Sequence, residues 1–376
     1  MREALRLARK GAGRPSREPL VGAVVVAAGQ VAGRGHAGRR QSNPAIVAAL
    51  DEAGSRAGQA TIYTNTPACC DAAELEACLS RLIDSRPSRV VIGAVNYFSQ
   101  PDESGDALSA SSSRALERLR EAGIEVATGV CEQECREVNE RYFKYAATGQ
   151  PFVTVKFAET LDGRIATATG DSQWISGPAS LRLAHQLRRE HDAIMVGIGT
   201  VLADDPQLTV RLVNGRDPLR IVIDSRLRAP ASARVLAGGA ARHTIVATTD
   251  QAEAGRADEL ERLGAKVLRM PSAGGSTGVD MEELLRELGR RQIASVLVEG
   301  GAGIITSLLR ARKVDRMVVA IAPKIIGRGT EAIGNLGITR LSDAITFSSI
   351  KTRRLGPDII FDGRILCISN GEAEKG

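Results

Sequence analysis

The clearest chemistry in this chain belongs to one lysine, two carboxylates and two arginines in its second half. Lys156 lies in the apolar run Phe152-Val153-Thr154-Val155-Lys156-Phe157-Ala158. An ammonium on a central apolar strand is costly unless it is paired or functional. Glu299 closes another apolar run and is followed by Gly300-Gly301-Ala302-Gly303. A strand that ends in a carboxylate and opens through glycines into a helix presents free backbone amides to a pyrophosphate. Gly197-Ile198-Gly199-Thr200 repeats that arrangement after Ala193-Ile194-Met195-Val196, with Asp204 and Asp205 close behind. Each glycine pair alone reads equally well as a tight turn. Arg188 and Arg211 are planar cations suited to a phosphate monoester, and Ser172 can donate to the same group. The competing reading of either arginine is a solvated surface residue. Trp174, the one tryptophan, sits in the polar stretch Asp171-Ser172-Gln173-Trp174. It offers a flat face to a nicotinamide or pyrimidine ring, or else plugs a core. Ser225 and Arg226 follow Asp224 at a strand end, where they suit the adenosine 2′-phosphate and favour NADPH over NADH.

These residues need a frame, and the composition supplies one. A chain of 376 residues is long enough for two domains. Gly149-Gln150-Pro151 breaks the pattern between them, giving a first domain over 1–148 and a second over 151–370. Hydrophobic residues make up 43% and aromatics only 3%, so Ala, Val, Ile and Leu must build the cores. The net charge is +6, but the 50 basic and 44 acidic residues are interspersed. With no basic arm and no aromatic platform, nucleic-acid binding is excluded, and an anionic small substrate fits better. No apolar run approaches the ~20 residues of a membrane span. The N-terminal helix is charged rather than signal-like, and six cysteines do not make a secreted disulfide framework. The expected location is the cytoplasm.

Both halves alternate helix and strand. In the first, helices are expected over 2–11, 45–53, 73–84, 112–122 and 132–146, with strands over 20–26, 60–65, 89–95 and 124–128. In the second, strands are expected over 152–158, 193–197, 219–224, 244–248, 266–269, 295–299 and 316–322. A strand over 165–168 should pair close to the first of them. Helices fall at 178–190, 252–263, 279–291 and 303–312. This alternation predicts a mostly parallel sheet covered by helices, followed by antiparallel strands at 359–361 and 365–368.

The second half resembles the reductase domain of the bifunctional riboflavin-biosynthesis deaminase–reductase. The resemblance rests on Lys156-Phe157-Ala158-Glu159-Thr160-Leu161-Asp162-Gly163, Asp171-Ser172-Gln173-Trp174 and His185-Gln186-Leu187-Arg188. Gly197-Ile198-Gly199-Thr200-Val201-Leu202-Ala203-Asp204-Asp205-Pro206, Leu208-Thr209-Val210-Arg211 and Val298-Glu299-Gly300-Gly301 follow in order. Thr160 stands where the family usually has Ser. The first half resembles the same family's zinc deaminase domain, through Val21-Gly22, Gly35-His36 and the Cys69 to Cys78 spacing. There the zinc-ligand His falls on Pro44, the proton-shuttling Glu on Ile46, and a substrate-contacting Asn on Glu18.

The resemblance implies an α/β protein: a cytidine-deaminase-like three-layer domain joined to a dihydrofolate-reductase-like domain. It implies NADPH-dependent reduction of the ribosyl group of 5-amino-6-(5-phosphoribosylamino)uracil to ribityl, with hydride reaching C1′. By position, Lys156, Asp204 and Glu299 would polarise and orient the substrate. Ser172, Arg188, Leu208, Arg211 and Glu299 would hold it and its phosphate. Ala158, Trp174, Thr200, Asp204, Ser225 and the turn opening with Gly301, Ala302 and Gly303 would hold NADPH. A homodimer is the family-level expectation. Proline cannot ligate zinc and isoleucine cannot move a proton, so the deaminase half is expected to be inactive and zinc absent. Cys69, Cys70 and Cys78 then read as buried small hydrophobes, as do Cys131 and Cys135, four apart on one helix face. The alternatives are a fully bifunctional enzyme, a reductase of a related phosphoribosylamino-pyrimidine, and a non-enzymatic binding module.

Overall fold

The computed structural model describes residues 1–13, 16–37, 44–66, 72–95, 107–253, 255–274 and 277–366, without the side chains of 72–74 and 107–113. Cys69, Cys70 and Cys367 lie outside them. The chain divides into two compact units, Met1–Thr148 and Gly149–Gly376.

The first unit runs α1 (Arg2–Ala8), β1 (Gly22–Ala27), β2 (Gln30–His36), α2 (Ala45–Ala53), β3 (Thr61–Thr64), α3 (Ala72–Asp84), β4 (Arg89–Ile92), α4 (Ala107–Glu121), β5 (Glu125–Thr128), α5 (Glu132–Val138) and α6 (Glu140–Thr148). Its strands form one sheet in the order β2-β1-β3-β4-β5. β1 is antiparallel to β2 and β3, and β3, β4 and β5 are parallel. Strand β2 was not legible, because two glycines interrupt its side-chain alternation. Those glycines have a packing reason: a Cβ at Gly33 or Gly35 would lie 2.1 Å from the Ala49 carbonyl oxygen or 1.9 Å from that of Ala45. Helix α2 therefore rests directly on the β2 backbone. The helix expected over 132–146 is two helices, broken at Asn139. Its Oδ1 accepts the Leu20 backbone N–H at 2.7 Å and its Nδ2 donates to the Leu20 carbonyl at 3.1 Å. Asn65 makes the matching clasp, accepting the Gly22 N–H at 2.7 Å and donating to Leu20 O at 2.8 Å.

The second unit runs β6 (Phe152–Thr160), β7 (Arg164–Thr167), α7 (Pro178–Glu190), β8 (Ala193–Gly197), α8 (Ile198–Asp204), β9 (Leu219–Ile223), β10 (Thr244–Thr248), α9 (Arg256–Arg262), β11 (Lys266–Arg269), α10 (Met281–Arg290), β12 (Ser295–Glu299), α11 (Ala302–Arg310), β13 (Arg316–Ala322), β14 (Gly329–Glu331), β15 (Phe347–Leu355) and β16 (Asp358–Ile365). Nine strands form one sheet in the order β11-β10-β9-β8-β12-β6-β13-β16-β15. The seven from β11 to β13 are parallel; β16 and β15 add antiparallel pairs. The chain passes from β6 over to β8, steps outward to β11, and returns with β12 between β8 and β6. That reversal is where an open parallel sheet leaves a crevice at the carboxyl ends of its strands. One core lies under α10 and α11, with Leu284, Leu288, Ile305 and Leu308 on Val155, Met195 and Val298. On the opposite face, Leu183 and Leu187 of α7 pack on Leu297, Val318 and Ala320.

Two expectations need correction here. The strand at 165–168 does not join the sheet; β7 pairs with β14 in a separate two-stranded ribbon. The strand expected over 359–361 is part of a longer one, β16, which pairs with the unexpected β15, while positions 367 and 368 of the strand expected over 365–368 lie outside the described residues. Strand β15 has a mostly exposed, charged middle and shows no alternation to read. Helix α8 follows a Gly-x-Gly that by itself reads as a turn. Among the described residues, no helix is long and apolar enough to cross a membrane.

Candidate active site

The parallel register places Glu299 of β12 beside Lys156 of β6, and Lys156 beside Val318 of β13. Laterally paired residues share a face of the sheet. Val318 packs under α7, so Lys156 and Glu299 lie on the α7 face, Glu299 at the carboxyl end of β12 and Lys156 midway along β6. Helix α7 brings Arg188 onto them. Its Nε and Nη2 donate to the two carboxylate oxygens of Glu299 at 2.8 and 2.6 Å, and its Nη1 donates to the Thr209 carbonyl at 3.1 Å. The two side chains are only 11% and 14% exposed, so this is a largely desolvated fork.

The electrostatics follow from that packing. Burial works against the Glu299 carboxylate, yet Arg188, helped by Lys156 and His185, holds its carboxyl below the ordinary range. Burial pushes the Lys156 ammonium below the usual lysine range and Arg188 adds to the effect, while Glu299 and Asp358 oppose it. Arg188 stays above the ordinary arginine range, because Glu299 outweighs its burial. Two cations thus face the Glu299 carboxylate, Asp358 adds its own field on Lys156, and among the described residues the Lys156 side chain makes no hydrogen bond. Such a perturbed, incompletely paired group in a crevice is a candidate for function.

Beside this cluster, at the same carboxyl edge, two helices start without side-chain caps. Gly197 caps α8 and Gly301 caps α11. The two turns touch, for a Cβ at Gly300 would lie 3.3 Å from Thr200 Oγ1 and 3.7 Å from the Gly197 nitrogen. Gly197, Gly199, Gly301 and Gly303 instead border open space, with nothing within 4 Å of an added Cβ. Four bare glycines at two touching helix N-termini form a cradle of the kind that suits a dinucleotide pyrophosphate.

Other expected site residues are placed unevenly. Trp174 is 66% exposed and is no core plug; its carbonyl accepts from Lys324 Nζ at 2.6 Å. Ala158 lies on β6 beside Ala320 and partly packs against the α7 core, and Ser172 is half-buried in the loop before α7. Ser225 is half-buried at the end of β9, where its carbonyl accepts from Thr249, and Arg226 is exposed. Ala302 is half-buried in the first turn of α11. Arg211 is exposed on the segment after α8, with Nη1 donating to Gln207 Oε1 at 2.9 Å and Thr209 Oγ1 at 2.8 Å. Two placements change the expectation. Leu208, only 2% exposed, sits in the core with Ile194 and Val196, so only its backbone can face a ligand. Asp204 is exposed at the end of α8, and the charges that act most on Lys156 are Glu299, Arg188 and Asp358 rather than Asp204. The Thr160 hydroxyl donates to Asp162 at 2.6 Å and accepts the Arg164 N–H at 3.0 Å, bonds that a serine hydroxyl can also make.

Sequence reasoning missed Asp358. This buried carboxylate at the start of β16 accepts the Gly177 N–H at 2.8 Å and the Ser180 hydroxyl, so it fixes the N-terminus of α7. A pairing over some 180 residues leaves no local sequence signal.

In the first unit, Pro44 caps α2 and carries no donor atom for a metal. Ile46, only 6% exposed, packs with Val21, Ala23, Ala49 and Leu50. Cys78 is buried, and Cys135 is buried on α5, where burial with Cys131 nearby pushes its thiol up to about 12. Among the described residues no three His, Cys, Asp or Glu side chains converge as a metal site.

Residues 151–361 match the family description "RibD C-terminal domain", and residues 1–94 match "Cytidine and deoxycytidylate deaminase zinc-binding region". The riboflavin biosynthesis protein RibD of Aquifex aeolicus is 39% identical over 96% of this chain and 96% of its own length. That of Bacillus amyloliquefaciens is 36% identical over 96% and 94%. Among solved structures, Acinetobacter baumannii RibD superposes with a TM-score of 0.81 at 29% identity, covering 97% of both chains. The Thermotoga maritima diaminohydroxyphosphoribosylaminopyrimidine deaminase/5-amino-6-(5-phosphoribosylamino)uracil reductase gives 0.78 at 30%, again over 97% of both. The two units accordingly have cytidine-deaminase-like and dihydrofolate-reductase-like folds. On sequence over nearly its whole length, and on fold in both units, this chain belongs to the RibD family of riboflavin-biosynthesis proteins.

Proposed function

We propose that the second unit reduces the ribosyl group of 5-amino-6-(5-phosphoribosylamino)uracil to ribityl with NADPH, and that the first unit does not deaminate. The observation that carries the reading is the Lys156–Glu299–Arg188 cluster beside the glycine-lined cradle. NADPH supplies the hydride that reaches C1′ of the opened sugar. The glycines of the 197–200 and 300–303 turns and the first amides of α11 would hold its pyrophosphate. Trp174 and Thr200 would contact the cofactor, and Ser225 and Arg226 would take the 2′-phosphate. Arg211 and Arg188, two cations repelling each other, supply an anion-seeking field for the substrate phosphate. Lys156 Nζ polarises the sugar and Glu299 keeps that ammonium charged and oriented. Much of the rate enhancement then comes from positioning.

The residues of the first unit do not fit catalytic zinc. Position 44 offers no ligand and position 46 offers no proton carrier, so a fully bifunctional enzyme would need two substitutes at once.

The test is NADPH oxidation with the deaminated phosphoribosylamino-uracil, by the wild type and by Lys156→Met. Turnover should fall at least a hundredfold in the variant with NADPH affinity retained. Equal turnover, or equal use of NADH, contradicts the assignment.

A further inference from the structure

Helix α7 carries a second side chain that the reaction scheme leaves idle. His185 is 1% exposed and stands one turn before Arg188, so both face the sheet. Its Nδ1 accepts the backbone N–H of Arg211 at 3.0 Å. One turn on, Arg188 donates to the Thr209 carbonyl at 3.1 Å. Two residues of one segment, Thr209 and Arg211, are therefore strapped to α7 through their backbone. The same segment is anchored again by Leu208, whose side chain is in the core and whose φ is +55°, and by Val210 N–H donating to Asp217 Oδ1 at 2.7 Å. Thr209 and Gln207 then orient the Arg211 guanidinium through one nitrogen, Nη1, and leave the rest of the fork available.

We propose that His185 is a positioning residue which, by accepting the Arg211 backbone N–H through Nδ1, holds the Arg211 fork in place for the phosphate of the substrate. This rests on the reading of Arg211 as a phosphate ligand. The strap needs an imidazole with a bare Nδ1 and its proton on Nε2. The surroundings enforce the neutral ring: burial, Arg188 and Arg211 push its pKa down to about 4, Lys156 adds to them, and only Glu299 opposes. The ring is therefore neutral, and the acceptor available, at neutral pH.

Asparagine tests the geometry, because its Oδ1 occupies nearly the place of Nδ1; leucine fills the same volume with no acceptor. His185→Leu should raise KM for the phosphorylated substrate, and the inhibition constant of inorganic phosphate, about tenfold. It should leave kcat and NADPH affinity within about threefold, as expected for a lost binding contact. His185→Asn should recover most of the affinity. If His185→Leu lowers kcat with KM unchanged, or if His185→Asn and His185→Leu behave alike, the proposal is wrong. Arg211→Gln separates this from the underlying reading. Phosphate inhibition lost in Arg211→Gln but kept in His185→Leu overturns the strap alone, whereas inhibition kept in both overturns the phosphate assignment. Should His185→Leu fail to fold, nitrogen NMR of the wild-type imidazole decides. An Nε2–H tautomer with a bare Nδ1 is expected, and the opposite tautomer rules the strap out.

Discussion

Glu299→Gln is the most revealing perturbation of the buried cluster. In the native protein, one carboxylate faces two cations: Arg188 in a two-bond fork at 2.6 and 2.8 Å, and Lys156 on the adjacent strand. Glutamine keeps the shape and one acceptor but places an amide NH₂ against an arginine N–H, and removes the largest counter-charge of both cations, leaving Asp358 to act on Lys156 and Asp217 on Arg188. A lost hydrogen bond to a charged group costs about 1.5–3 kcal/mol. Leaving a buried charge uncompensated costs about 3–5 kcal/mol in total. With one acceptor retained and slight exposure, the lower end applies, about 3 kcal/mol. For a domain of this size that is a fall in melting temperature of roughly 6–12 °C. The same change acts on Lys156. Its ammonium is already disfavoured by burial, and Glu299 is the largest influence in its favour. Without Glu299 it loses its proton at lower pH, so the alkaline limb of the rate profile must move toward acid. Calorimetric melting together with kcat/KM against pH reads both effects. A variant that melts within about 1 °C of the wild type with an unmoved alkaline limb refutes the reasoning.

Three further outcomes follow from particular residues. Gly303 is a helix residue whose Cβ position is empty. Gly303→Ala should stabilise the protein by up to about 1 kcal/mol in thermal unfolding, while weakening NADPH binding measured by fluorescence titration; tighter binding would remove Gly303 from the cradle. His185 has a folded pKa of about 4 against an ordinary 6.5, so the unfolded chain binds the proton more tightly. Its contribution is complete above pH 6.5 and is lost as pH falls through that value toward 4, by at most about 3 kcal/mol. In His185→Asn, the slope of unfolding free energy over that window should shrink. Ile46→Glu would bury a carboxylate among Val21, Ala23 and Leu50. It should destabilise the first unit by about 2–4 kcal/mol at neutral pH, with partial recovery at low pH as the carboxyl takes up a proton. A chemical-denaturation midpoint unchanged at pH 7 would mean that position 46 opens onto a polar site.

The sequence was most legible where chemistry and periodicity coincide. The strands ending in Gly197 and Glu299 and the helix over 178–190 are continuous patterns, and the residues at their ends are the ones the fold gathers. What depended on long-range pairing was not legible. Strand β15 shows no alternation, β7 takes its partner from β14 some 160 residues later, and β2 hides its strand character behind glycines needed by α2. The same holds in the site. Lys156 and Glu299 announce themselves as costly residues on apolar strands, whereas Asp358 and the acceptor role of His185 depend on where distant backbone comes to rest. Leu208 is the complementary case: its motif position points to a ligand contact, and the structure assigns its side chain to the core, which leaves its backbone for that contact.

The central claim, a working reductase joined to a silent deaminase, is tested most directly by product analysis from the undeaminated phosphoribosylamino-pyrimidine, with NADPH and added zinc, beside the deaminated uracil. The account predicts NADPH oxidation and ribityl product from the uracil alone, with the pyrimidine recovered unchanged. Ammonia released from the pyrimidine, followed by reduction, would contradict it by showing that Pro44 and Ile46 have been bypassed.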